Sequence, residues 1–171
     1  MTRQISYILI SVLFISCGQT KDKNLNEKSS VNKIESADST RTVKIDNALK
    51  FINDYVENCS KMNKSIRTID WVNSNQLTTG NFKTELTRII NEANKNDPEL
   101  GLGFDPIFDA QDFPDKGFEL ESVDATTNFL IVKGKVENQF RLTMKVNKEN
   151  GKWLVDGCGI VNIPTDRRIE R

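Results

Sequence analysis

Phe140–Ile160, FRLTMKVNKENGKWLVDGCGI, is the stretch that decides the fold. Phe140, Leu142, Met144 and Val146 alternate with Arg141, Thr143 and Lys145. A period of two is that of a strand with one face turned to a core. Asn150-Gly151 follows, a dipeptide that tolerates the positive φ angles of a two-residue hairpin turn. Trp153 and Val155 then lead a second strand towards Cys158 and Ile160. An antiparallel hairpin is the expectation.

Working upstream, Glu137-Asn138-Gln139 reads as a tight turn. Phe129–Val132 is an apolar run that continues through Lys133 to Val136, and Phe118, Leu120 and Val123 alternate before it. Four strands in a meander account for this half of the chain. Glu99–Lys116, ELGLGFDPIFDAQDFPDK, mixes glycine and proline with aromatic and acidic residues and reads as a loop. Ahead of it the period lengthens. Ile45, Ala48, Leu49, Ile52, Tyr55, Val56, Cys59 and Met62 recur at steps of three and four, one face of a helix. A shorter helix is expected over Ile66–Asn73, carrying Ile66, Ile69 and Trp71 or Val72. A polar break at Thr79-Gly80-Asn81 precedes a third stripe of Phe82, Leu86, Ile89, Ile90 and Ala93, which ends before Pro98. Helices first and strands second make an α+β fold, with N-terminal helices packed on a curved, cone-like antiparallel sheet of about four strands.

The order of elements and the terminal strand NGKWLVDG resemble the cone fold of nuclear transport factor 2, ketosteroid isomerase and cystatin-like relatives. FDPIFDAQDFP, at Phe104–Pro114, is similar to a segment of a domain-of-unknown-function family of bacterial lipoproteins with that fold. The resemblance spans about Ile45–Pro164. It implies the fold and leaves the chemistry open.

The start of the chain has a different character. Arg3 precedes the apolar run Ile5–Ile15, ISYILISVLFI. Its length of roughly 11–12 residues falls short of the ~20 needed to span a bilayer and suits the apolar region of a signal peptide. Ser16-Cys17-Gly18 follows and resembles a bacterial lipobox, although Phe14 stands where that motif prefers Leu. In such motifs the thiol receives diacylglycerol and the chain is cut before it. Residues 1–16 are therefore read as a lipoprotein signal peptide and Cys17 as the lipidated residue. Acyl chains contribute about 0.8 kcal/mol per buried methylene, so two or three of them hold a protein at a membrane. Gly18 lacks the acidic character that favours inner-membrane retention, so the outer membrane of the cell envelope is the expected location. Residues 17–43 form the anchor and a polar segment too poor in apolar side chains to offset the entropy of ordering, read as a flexible tether. The folded domain is expected at 44–165, with 166–171 a polar tail.

The 171 residues carry 24 Lys+Arg and 24 Asp+Glu. That balance argues against nucleic acid as a partner, since phosphate contacts need an excess of cations. The chain has no His, which excludes His triads and His metal sites; no metal or cofactor is called for. Cys59 and Cys158, in an exported chain, suggest a disulfide closing a loop of about 100 residues, worth roughly 4–5 kcal/mol. Two buried thiols are the alternative.

The densest polar group is Asp105, Asp109, Gln111, Asp112 and Asp115. Crowded carboxylates can bind a cation or share a proton, but the spacing is not that of an EF-hand. Asp and Gln side chains also hold loops by bonding to backbone amides, the more economical reading. Asp105, Asp109, Gln111 and Asp112 are thus the candidate ligand or partner loop, and Trp71 the candidate pocket aromatic, although aromatic residues at such places are usually core. Asp156 alternates with Val155 and is expected to face solvent. The leading expectation is a non-enzymatic domain that binds an envelope protein or a small ligand. The alternatives are a cone-fold enzyme with an Asp general base, or an immunity or inhibitor protein.

Overall fold

The computed structural model describes residues 24–124 and 126–170, with side chains from residue 41 onward. Two compact units divide the chain, Met1–Glu35 and Ser36–Arg171; the packing below is that of the second. Helices precede strands. α1 spans Asn24–Cys59, α2 Thr68–Ser74 and α3 Gly80–Asn96. β1 (Phe118–Val123), β2 (Phe129–Gly134), β3 (Arg141–Glu149) and β4 (Lys152–Cys158) form one antiparallel sheet in the order β1-β2-β3-β4. The chain is α+β, as its periodicities indicate.

The hairpin forms where the alternation places it. Asn150 and Gly151 both have positive φ, and Glu149 faces Lys152 across them. Leu130 pairs with Met144 and Val132 with Leu142, so one face of the sheet is dry. Phe51, Ile52 and Tyr55 of α1 belong to the same core and are wholly buried. Each such side chain contributes about 1.5–3 kcal/mol through burial. Phe82 and Leu86 add the buried stripe of α3. Thr79 starts that helix, its hydroxyl accepting from Phe82 N at 3.0 Å.

The free edge of β4 is covered. Val155 N donates to Leu77 O at 2.7 Å and Thr79 N donates to Val155 O at 3.0 Å. A short run of chain ahead of α3 thereby pairs with a strand that would otherwise offer unpaired backbone groups.

Three details differ from the periodic reading. α1 begins at Asn24, well before Ile45, and takes in much of the segment read as a flexible tether. No Gly or Pro interrupts Asn24–Cys59, and extending an established helix adds one hydrogen bond per residue fixed. Phe51 joins the buried face of α1, whereas Met62 lies beyond the helix end, 83% exposed and at positive φ. Cys59 and Cys158 are not joined by a disulfide. A turn at 105–108 contacts both regions: Cys158 Sγ donates to Ile107 O at 3.4 Å, while Cys59 lies beside Tyr55 and Asp105.

Beyond β4 the chain closes on that turn. Ile160 N donates to Pro106 O at 3.0 Å. Gly159 sits at φ 60°, where a Cβ would lie 2.4 Å from both Pro106 O and Ile107 O. Gly151 has φ 80° and open space around it. Gly151→Ala should therefore cost about 1–2 kcal/mol, the left-handed backbone penalty alone. Gly159→Ala adds a backbone clash and should cost about 3 kcal/mol or more. Urea unfolding of the two variants measures the difference; equal costs would show that the turn yields freely.

Candidate functional site

The 104–115 loop is built around Asp105. Its Oδ1 accepts from Ile107 N at 2.8 Å and from Phe108 N at 3.0 Å, and its Oδ2 accepts from Tyr55 Oη at 2.5 Å. Asp105 N donates to Ala110 O at 2.9 Å and closes the turn. Since Tyr55 gives its proton to Asp105, the 2.9 Å contact between Tyr55 Oη and Thr68 Oγ1 has Thr68 as donor. Burial pushes the Asp105 carboxyl above the ordinary range, against the pull of Tyr55 and the two amides. Burial, then Asp105, likewise raise the Tyr55 phenol, and both raise the Cys59 thiol to about 11. These groups are neutralised or hydrogen-bonded parts of a packed interior.

The other loop residues do not converge with Asp105. Asp109 occupies a positive φ in the turn, and Gln111 Nε2 donates to Gly103 O at 3.2 Å. Asp112 is exposed. No group of three or more His, Cys, Asp or Glu able to hold a metal ion occurs among the described residues. Trp71 packs its ring on Phe51 at 5.5 Å and Tyr55 at 5.0 Å between centroids. It is partly buried at the edge of the core.

Asp156 corrects the alternation. Two residues of β4 lie opposite one step of β3 between Lys145 and Val146, and Asp156 is the extra one. A bulge re-aims its residue, and Asp156 is only 3% exposed. Its Oδ1 accepts from Thr79 Oγ1 at 2.8 Å and its Oδ2 from Lys145 Nζ at 2.9 Å. Burial raises its carboxyl, but Lys145 and Thr79 outweigh burial and hold it below the usual range.

One open groove lies where the loop meets the β2–β3 turn. Asp112, Phe113 and Pro114 form one lip of a groove of about 370 Å³, and Glu137, Gln139 and Phe140 form the other. Its walls are fixed. Phe113 stacks on Phe108 at 4.9 Å, Phe108 on Phe118 at 6.2 Å, and Phe140 meets Phe118 edge-on at 5.8 Å. Phe140 N donates to Glu137 O at 2.8 Å, and Phe140 O accepts from Gly134 N at 2.8 Å. The lips approach at Gly134, where a Cβ would lie 2.7 Å from Glu137 O and 3.0 Å from Pro114 Cγ. Glu137 Oε2 is out of contact with water and has no hydrogen-bond partner.

Of the four candidate loop residues only Asp112 lines this groove. Glu137, Gln139 and Phe140 read from sequence as turn and strand start; their one signal is an aromatic residue directly after a polar turn. Cys17 lies outside the described residues. Among the described residues no helix is long and apolar enough to cross a membrane. No family profile, curated protein or solved structure matches the chain.

Two substitutions test the buried acids. Tyr55→Phe leaves a buried Asp105 oxygen unpaired and should cost about 1–3 kcal/mol in urea unfolding; a neutral result would show that the loop does not depend on this bond. Asp156 has a depressed folded pKa, so its contribution is present above the unfolded value of about 3.9 and is lost as pH falls through the folded value. Asp156→Asn should therefore destabilise by about 1.5–3 kcal/mol at pH 7, with the gap from the parent shrinking below about pH 4. A gap that is constant with pH would refute the ion pair as its source. Asp105, with a raised folded pKa, has the opposite sign: it subtracts stability as pH rises through its window.

Proposed function

We propose that this chain is a lipoprotein held in the cell envelope through Cys17, with a folded domain that binds rather than catalyses. The domain receives a protein segment or a small ligand in the groove between Asp112–Pro114 and Glu137–Phe140. The observation that carries the reading is the preformed apolar wall of Phe113, Pro114 and Phe140, open on one side and fixed from behind by Phe108 and Phe118. Pockets that bind ligands combine such walls with a few placed polar groups. A four-strand meander behind N-terminal helices is compatible with a cone fold of the nuclear transport factor 2 type. The general-base alternative has less support. The buried carboxylates Asp105 and Asp156 have both oxygens occupied by partners that hold the fold.

The anchor and the groove are tested separately. Cys17→Ser should abolish incorporation of a labelled fatty acid and move the protein out of the membrane fraction; undiminished labelling would refute the anchor. A photo-crosslinking residue at Gln139 should give a discrete adduct in intact cells, while one at Arg88 on the exposed face of α3 should not. Equal adducts at both positions, or none at Gln139, would refute the groove as the binding site.

A further inference from the structure

We propose that the outer face of the sheet is a peptide-binding surface, and that the chain's own C-terminal segment, residues 164–170, is its resting occupant, a strap that a second peptide can displace. This surface is separate from the groove between Asp112 and Phe140. Leu130, Val132, Leu142 and Met144 belong to the core, so Phe129, Ile131 and Thr143, which alternate with them, face the other way. Thr143 is nevertheless only 6% exposed, and Phe129 and Ile131 are half-buried. The covering residues come from the end of the chain.

The segment crosses the strands in the order in which they pair. Its root is fixed at β4, where Ile163, itself buried, sits over Gly157; a Cβ there would lie 2.7 Å from Ile163 Cδ1. After a single turn at Thr165–Arg167, the carbonyl of Arg167 accepts from Thr143 Oγ1 of β3 at 2.6 Å. The Arg167 guanidinium lies 5.4 Å from the centre of the Phe129 ring of β2. Ile169 then lines a cavity together with Ile131 of β2 and Ser122 of β1. A hydroxyl on a main-chain carbonyl, a ring under a cation and an apolar slot beside an aliphatic side chain are contacts that read a peptide segment.

The root is built into the fold, whereas the strap is held lightly. Residues 164–167 are exposed, and Arg168 donates to Ile163 O at 3.0 Å and to Ile160 O at 3.3 Å, within its own stretch of chain. Among the described residues, one hydrogen bond and one ring contact tie residues 164–170 to the sheet. A space of about 280 Å³ stays open between the two, lined by Ile131 and Thr143 from the sheet and by Arg168 and Ile169 from the strap. A segment belonging to the core would close such a gap, since protein interiors pack with few voids larger than a water molecule. Covalent attachment keeps the strap in place despite its few contacts, because it holds the segment at a high effective concentration. A peptide from a partner must compete with that concentration, which makes the contact autoinhibitory.

The test uses the full chain, purified in detergent, and a released variant of it that carries Arg167→Ala and Ile169→Ser. Each is titrated with acetyl-Pro-Thr-Asp-Arg-Arg-Ile-Glu-amide, the sequence of residues 164–170. Resonances of Phe129, Ile131 and Thr143 are followed to millimolar peptide. The peptide should shift them in the released variant and bind it about tenfold or more tighter than the parent, in which the tethered strap competes. Phe129→Ala in the released variant should weaken that binding several-fold, and a peptide with the same two substitutions should not bind. The released variant should unfold at the parent's urea midpoint. No shift in the released variant, shifts confined to residues off the outer face, or equal affinity for variant and parent would each overturn the proposal. A lowered urea midpoint would make residues 164–170 part of the core and overturn it as well.

Discussion

The hydrogen bond from Tyr55 to Asp105 is the contact on which the rest of the domain turns. A carboxylate taken out of water is costly unless each oxygen finds a donor. Asp105 finds one on α1 and two on its own turn, and so joins the first element of the domain to the loop ahead of the sheet. The turn then carries Ile107 and Phe108 into the core, both essentially unexposed. On its other side it receives the end of β4 through Ile160 N and Cys158 Sγ. Helix, loop and last strand are thus fixed by one short segment, which also accounts for the absence of a disulfide between Cys59 and Cys158.

The groove is a consequence of this anchoring. Phe108 is held by the turn, and Phe113 stacks on it, which positions Pro114 against Gly134. Asn53 completes the arrangement from α1. Its Oδ1 accepts from Phe118 N at 2.8 Å and its Nδ2 donates to Phe118 O at 3.1 Å, as a neighbouring strand would. The two lips are therefore set by backbone contacts and stacked rings, the kind of support that keeps a binding surface preorganised. The buried carboxylates Asp105 and Asp156, whose oxygens are satisfied, hold the fold.

Much of the fold was legible because it depends on local periodicity. The alternation in Phe140–Val146, the Asn150-Gly151 turn and the stripe on α1 each express a preference that short segments carry with them. The assignment of Asp105 and its neighbours to loop-holding was legible in the same way, since Asp bonds to amides two and three residues on. Asp156 was not legible. A bulge depends on the register between two strands, and one extra residue turns a side chain from the solvent side to a buried ion pair with Lys145. Phe51 escaped placement for a related reason: which edge of a helical stripe is buried depends on what packs against it.

By itself, the sequence determined the α+β order of elements, the antiparallel meander, the hairpin at Asn150-Gly151 and the distinct apolar character of the run Ile5–Ile15. These follow from side-chain periodicity, backbone preference and hydropathy, all of which act within a few residues of chain. Only the tertiary structure decided that Cys59 and Cys158 stay apart, that Asp156 is buried, and that Asp112 shares a groove with Glu137 and Phe140. Each of these is a meeting of segments distant in the chain. Their positions depend on the docking of the 105–108 turn and the register of the sheet, which no local preference encodes.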